Sequence, residues 1–393
     1  MNEIRKILDR HERIYLFDEK KFINNFNFFK KSFLKNFDNI FLGYSFKTNY
    51  IPYLCLVARK LGCYAEVVSN QEYDLAKKLG FGNKILVNGP CKNTNFLKEI
   101  INKNCYLNID SMEEFYLLSD LLKIKKKNFN FSIRCNLRIN KKNSRFGINL
   151  IKENIEQINY HLSKNKYLKL DGVHCHLPFR DPNSFKQRSI KISKLLKKLN
   201  FSTKKIKINI GGGFNSLMTK NFCKKNNLQN STTFKKYSSI ISKNLNLKKN
   251  RTIDDIELWA EPGTALVSNT LDYYFKVVSL KKNNSYFFVN TSGSIYDVKP
   301  NSKNIKLEIE KLQKSKKNKI KKKYLICGYT CIENDFISRN YSGNLKEGDV
   351  LRLKDVGSYS FSMKPNFIKP KPAVYLKKGK KLKLLHREEK LIS

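Results

Sequence analysis

The side chains able to do chemistry in this chain recur just after short apolar runs. Lys47 follows the apolar, aromatic stretch 40–46 in "FLGYSFKTN", where a lysine snorkelling out of a strand terminus is the ordinary reading that the rest of the chain has to overturn. Glu66 lies in "AEVVS" (65–69) and Arg134 in "FSIRCN". His174 and His176 lie in "GVHCHLP" (172–178), two residues apart and so on one side of a strand. "NIGGGF" (209–214) places Gly211, Gly212 and Gly213 in a row, and "AEPG" (260–263) brings Glu261 and Gly263. A lysine amine is a nucleophile for carbonyl carbon. Consecutive glycines let backbone N–H groups approach an anion closely.

These residues share one structural context. Strand-like segments fall at 40–46, 64–68, 84–88, 105–109, 130–137, 170–176, 206–210 and 256–260, with amphipathic runs such as 21–37, 53–61, 71–79, 94–101, 112–122 and 184–199 between them. Eight strands in regular alternation with helices predict a (β/α)8 TIM barrel over 20–264 rather than an open doubly wound sheet. In such a barrel the C-terminal strand ends line one mouth, which brings Lys47, His176, the glycines and Glu261 together. After 264 the helical period fades into short β-branched and aromatic runs broken by Gly, Asn and Pro. They predict a C-terminal β domain, a β-barrel or β-sandwich, over 265–393, joined by an N-terminal strand within about 10–19. No internal repeat is present.

Composition narrows the class. With 393 residues, 40% of them hydrophobic and 12% aromatic, the chain has material for two folded domains. Its formal net charge of +45 is spread along the whole length and accompanied by many asparagines, which reads as coding bias on solvated faces. A basic surface that concentrates anionic substrates is the alternative. No nucleic-acid-binding signature accompanies the charge, so a nucleic-acid partner is not expected. Nine cysteines form no CxxC pair, and Cys327 and Cys331 have no histidine cluster beside them, so no metal site is expected. The N-terminus has no signal-like apolar region and no apolar run is long enough to span a bilayer, which points to a cytoplasmic protein with reduced thiols.

A lysine, an anion cradle, a histidine and a carboxylate around one mouth suggest pyridoxal 5′-phosphate. The lysine condenses with its aldehyde, and the carboxylate keeps the pyridine nitrogen protonated so that the ring acts as an electron sink. The chain also resembles the fold-type III pyridoxal-phosphate decarboxylases, the diaminopimelate, ornithine and carboxynorspermidine decarboxylase group, and its motifs are most similar to the diaminopimelate enzymes. The motifs "YSFKTN", "AEVVS", "SRFGI" (144–148), "GVHCHLP", "GGGF", "EPG", "CGYTCIEND" (327–335) and "GSYSFSMKPNF" (357–367) follow in the family's order, and "LLHREE" (384–389) resembles its last strand. The resemblance implies an alanine racemase-like barrel with Lys47 as the Schiff-base lysine, His176 stacked on the cofactor ring and Glu261 paired with its pyridine nitrogen. It implies that Gly211, Gly212, Gly213, Gly263 and Tyr359 hold the phosphate. It also implies a homodimer in which Cys331 and Asp335 reach the partner's active site and Cys331 returns the proton after CO₂ leaves.

The departures from the family pattern bear on substrate and phosphate. The residue after the cysteine is commonly acidic and reads the distal amino group; here it is Ile332, with Glu333 one position on as a substitute. Carboxynorspermidine and some siderophore-pathway decarboxylases carry an aliphatic residue there. The arginine usual after Glu-Pro-Gly is Thr264, and the Gly-Ser after the strand-six histidine is Pro178-Phe179, with Arg180 next. In "SIYDVKP" (294–300), Asp297 and Lys299 are expected to read a distal amine or carboxylate of the substrate. The function expected is decarboxylation of a diaminopimelate-like or larger polar amino acid. The alternatives are a racemase of the same barrel type and a non-catalytic relative that binds the cofactor.

Overall fold

The computed structural model describes residues 2–139, 144–217, 220–226, 233–245, 255–298, 306–313, 322–379 and 381–390. Strand β1 (Arg13–Phe17) precedes β2 (Ile40–Ser45), β3 (Tyr64–Val67), β4 (Ile85–Val87), β5 (Tyr106–Ile109), β6 (Phe129–Arg134), β7 (Leu168–His174), β8 (Ile206–Asn209) and β9 (Ile256–Ala260). Strands β2 to β9 close into one parallel barrel, with β9 pairing back onto β2 through Ile40 opposite Leu258 and Leu42 opposite Ala260. Several of the turns into helices are set by local chemistry. Ser69, Ser111 and Asp181 cap the helices Asn70–Lys78, Met112–Lys125 and Pro182–Leu195, each accepting the N–H three residues on.

The period of two along the strands divides the barrel interior into ends of different chemistry. Phe41, Tyr64, Tyr106 and Trp259 fill the N-terminal end, with Phe41 stacked on Trp259 at 4.9 Å and Tyr64 at 4.6 Å from the same indole. Two positions further along the same strand faces come Gly43, Glu66, Asn108 and Glu261. An aromatic plug therefore closes one end and polar groups furnish the other.

Helix Glu19–Phe33 buries Phe22, Phe26, Phe29 and Phe33, spaced four, three and four apart, as one apolar stripe. Phe29 meets Phe214 edge-on at 4.9 Å, and Phe185 lies 4.9 Å from the same ring. The phenylalanine that ends "GGGF" thus anchors the glycine loop in the core.

The other strands are β10 (Leu271–Asn283), β11 (Tyr286–Thr291), β12 (Ile309–Lys311), β13 (Lys322–Cys327), β14 (Phe336–Gly343), β15 (Val350–Leu353), β16 (Ala373–Lys378) and β17 (Lys381–His386). They form a nine-stranded sheet in the order β14-β13-β11-β10-β1-β16-β17, with β15 pairing both β10 and β12. The first strand in sequence is central to this sheet, antiparallel to β10 and parallel to β16. Strand β14, "FISRNYSG", escaped sequence reading because it is an edge strand of mostly polar, partly exposed residues. Among the described residues no helix is long and apolar enough to cross a membrane.

Candidate active site

Lys47 lies in a short 3-10 turn, Phe46–Thr48, directly after β2, and its side chain remains one-third exposed (33%). Its Nζ donates to both oxygens of Glu66, at 2.6 Å to Oε1, and Glu66 has no exposure at all. Asn88 ties this pair to the next: its Nδ2 donates to Glu66 Oε1 and to Glu261 Oε1, each at 2.9 Å. Asn108 Nδ2 fixes that amide by donating to Asn88 Oδ1 at 2.6 Å. Glu261 also accepts from Asn209 Nδ2 at 2.9 Å and faces His174 Nε2 at 3.2 Å and His176 Nδ1 at 3.9 Å. One polar network therefore runs across the barrel mouth from Lys47 to His176.

The network sets the charges. Burial disfavours the Lys47 ammonium, but Glu66 and Glu261 outweigh it and hold its pKa above that of an ordinary lysine. Burial also disfavours ionised Glu261, yet His174, Lys47 and His176 outweigh it and keep that carboxylate well below the usual range. Burial pushes His176 down to about 3, with Glu261 opposing and Lys47 and His174 assisting. The hydrogen bonding agrees: His176 Nδ1 accepts the N–H of Gly212 at 3.0 Å, which requires an unprotonated ring nitrogen. At neutral pH the mouth holds an anionic Glu261 and a neutral His176.

A cavity of about 170 Å³ opens here, lined by Lys47, His176, Arg180, Gly213, Glu261 and Tyr359 among others. Gly263 allows the Glu-Pro-Gly turn to press on the lysine loop, since a Cβ there would stand 2.3 Å from Thr48 Oγ1. Gly213 takes a left-handed φ of +90°, open to glycine at little cost. The glycine loop differs from the sequence expectation in one respect. The Gly211 N–H is committed to Asn209 Oδ1 at 2.8 Å and the Gly212 N–H to His176, so neither faces a ligand. The N–H groups of Gly213 and Phe214 make no hydrogen bond among the described residues.

The segment after β15 clasps the lysine loop. Tyr359 N–H donates to Thr48 O at 2.7 Å, Ser362 Oγ to Lys47 O at 2.8 Å, and Asn49 Nδ2 to Gly357 O at 2.8 Å. Tyr359 adopts a left-handed φ of 64°, an uncommon conformation for a tyrosine, and its side chain lines the cavity.

Other candidates lie elsewhere. Cys331, Ile332 and Glu333 are exposed on a loop of the sheet and do not line the cavity around Lys47. Asp335, expected to reach the partner's active site, is only 3% exposed in the single chain and accepts from Ser294 Oγ, the Ile295 N–H, the Thr330 N–H and Thr330 Oγ1. It shapes the cysteine loop. Asp297 is a correction. It has no exposure, and its carboxylate meets Tyr273 OH, Tyr329 OH at 3.2 Å, Arg13 Nε at 3.5 Å and Lys364 Nζ at 3.6 Å. Lys299 lies outside the described residues.

Sequence reading missed Asn88, Asn108 and Asn209, which join the carboxylates. The available signal was parity: each lies at a strand's C-terminal end, two residues beyond an inward side chain such as Leu86, Tyr106 or Lys207.

The donor set fits pyridoxal phosphate: an accessible lysine amine, an anionic carboxylate at the barrel centre, a neutral histidine on the cavity wall and two glycine-loop N–H groups with no hydrogen bond among the described residues. Fold and site together define a pyridoxal-phosphate barrel enzyme. Residues 23–268 match the family model of the pyridoxal-binding domain of pyridoxal-dependent decarboxylases, and the chain belongs to that family. It is a pyridoxal-phosphate-dependent carboxy-lyase. It is 24% identical to the diaminopimelate decarboxylase of Aquifex aeolicus, over 94% of this chain and 89% of that protein, and 25% identical to that of Methanocaldococcus jannaschii, over 93% and 86%. A crystal structure of the M. jannaschii enzyme shares the fold at a TM-score of 0.85 and 24% identity, covering 98% of this chain and 92% of that one. The arginine decarboxylase of Paramecium bursaria Chlorella virus shares it at 0.75 and 16%, covering 93% and 97%.

Proposed function

We propose that this chain decarboxylates an amino acid of the diaminopimelate type, as a homodimer with active sites shared between subunits. The observation that carries the reading is the single network linking Lys47, Glu66, Glu261 and His176 at the barrel mouth. When bound, pyridoxal phosphate supplies a conjugated, protonated ring that accepts the electrons released as CO₂ departs. Lys47 is the attachment point. It must shed a proton before its amine can attack, and Glu66 is the acceptor in contact with it. Glu261, held anionic, would hold the pyridine nitrogen protonated, and neutral His176 would hold the ring without adding charge. The N–H groups of Gly213 and Phe214, with Tyr359, would hold the phosphate, while the Gly263 N–H is committed to the Glu261 carbonyl at 2.9 Å and Gly263 serves the close packing of its turn.

Cys331 serves the site of a second copy, where its thiol delivers a proton to the α-carbon. Its exposure on a loop pinned by Asp335, away from its own subunit's cavity, supports that role. The names of the relatives favour diaminopimelate as the first substrate to try. Ile332, exposed at 37%, favours a second reading, because an aliphatic side chain cannot accept from a distal ammonium. That reading is a larger or conjugated substrate such as carboxynorspermidine. CO₂ release from meso-diaminopimelate, L-ornithine, L-lysine, L-arginine and carboxynorspermidine, with products identified by mass, decides between them. Release from diaminopimelate alone supports the first reading, release from carboxynorspermidine alone the second, and release from none contradicts the first.

A further inference from the structure

We propose that Arg188 is the fixed counter-charge for the cofactor phosphate, standing in for the guanidinium that Thr264 denies the Glu-Pro-Gly turn. The inference rests on the reading that the phosphate lies on the glycine loop. Arg188 belongs to helix Pro182–Leu195 and has no solvent exposure. Its Nη1 donates to the carbonyls of Gly212 at 3.0 Å and Ile210 at 3.5 Å, and its Nη2 to those of Leu177 at 3.0 Å and Phe179 at 2.6 Å. Its Nε donates to Ser184 Oγ at 3.2 Å. Every acceptor is neutral; Asp181 acts on the guanidinium at longer range, and no carboxylate lies within ion-pair distance of it among the described residues. Buried cations are ordinarily paired, because desolvation of an isolated charge is costly. An anion on the far side of the loop completes this one.

The geometry gives Arg188 a second action. A trans peptide directs its C=O and its following N–H to opposite sides. By drawing the Gly212 carbonyl inward, Arg188 turns the Gly213 N–H the other way, and this is one of the N–H groups that make no hydrogen bond among the described residues. The loop from Leu177 to Phe179, where Pro178 and Phe179 replace the family's Gly-Ser, is held by the same guanidinium. One buried arginine thus orders both loops and supplies charge that neither carries. Arg180, exposed on the cavity lip, is the rival source of that charge.

The test compares dissociation constants of pyridoxal phosphate and of pyridoxal, which lacks the phosphate, on cofactor-stripped protein. Arg188→Gln is expected to weaken pyridoxal phosphate at least about tenfold while pyridoxal changes little, the scale of a lost charge-assisted contact. Arg188→Lys should keep most of the preference, and adding Thr264→Arg to Arg188→Gln should restore it. An unchanged preference in Arg188→Gln, an equal loss for both ligands, or a collapse in Arg180→Gln alone would overturn the proposal. Should Arg188→Gln fail to fold, the wild-type stripped protein decides: inorganic phosphate is expected to raise its Tm above chloride at equal ionic strength, and no rise contradicts the proposal. Failure of the underlying site reading would look different, as neither ligand would attach to Lys47.

Discussion

Two fully buried carboxylates, one in each half of the molecule, are handled in opposite ways. Glu261 in the barrel is held well below the usual carboxylate range, because His174, Lys47 and His176 outweigh its burial. Asp297, beneath the sheet, is raised, because burial outweighs Arg13 and Lys364. Their surroundings explain the contrast. Asp297 is enclosed by Tyr273, Tyr329, Arg13 and Lys364, and both cationic side chains are themselves sealed from solvent, at 2% and 0% exposure. Glu261 is enclosed by groups that open outward, with Lys47 and His176 each about one-third exposed to the cavity. Burial of an acid therefore does not mark a site; neighbours that face a cavity do. Asp297 joins β1, β10, the cysteine loop and the clasp, and its work is to fix the frame on which the site depends.

The comparison can be broken most forcefully at Glu261. Glu261→Gln keeps the shape but removes the anion, and turnover per folded molecule is expected to fall on the order of 10²-fold or more, with some loss of Tm because the ionised carboxylate is stabilised by its neighbours. A variant with full turnover would remove Glu261 from the chemistry. Cys331→Ala should slow turnover on the order of 10²-fold while the cofactor stays bound. Mixing it with Lys47→Ala should recover part of the activity, because a heterodimer rebuilds one intact site. No recovery with heterodimers demonstrated contradicts a shared site. Asp297→Asn should show the reverse pattern: a stability loss of about 3–5 kcal/mol, as buried Lys364 loses its ion pair and Arg13 keeps only Glu388, with turnover per folded molecule within about tenfold. A larger loss of turnover would place Asp297 in the site after all.

The smallest effect is a slope. His176 is neutral in the folded protein down to about 3, whereas in the unfolded chain it takes up a proton below about 6.5. The unfolded state therefore binds more protons in that window, and stability falls as pH drops from 6.5 toward 3. Glu261 adds to the acid loss only below the ordinary carboxylate range, near 4.5. Cofactor-free His176→Phe should thus show a shallower decline of Tm between pH 6.5 and 5 than the wild type. Equal slopes would mean that His176 is not held neutral by its surroundings.

Much of the barrel was legible because eight apolar segments keep their spacing, and because Lys47, His176 and Glu261 each stand at a strand's C-terminal end. The asparagines of the network were hidden by the abundance of that residue throughout the chain. Arg188 was hidden for a similar reason, one among 78 lysines and arginines, with its place under the glycine loop set by tertiary packing alone. "SIYDVKP" drew attention to Asp297, but an acid in a loop sequence does not reveal whether its oxygens are already taken. The glycine triplet announced a close backbone approach. It did not show that two of its N–H groups serve Asn209 and His176.

The central claim is that one lysine among so many carries the cofactor. The direct measurement is borohydride reduction of the loaded protein followed by peptide mass mapping. The account predicts the cofactor's added mass on the peptide containing Lys47 and its absence from Lys47→Ala. Label on another lysine, with Lys47 unmodified, would contradict it.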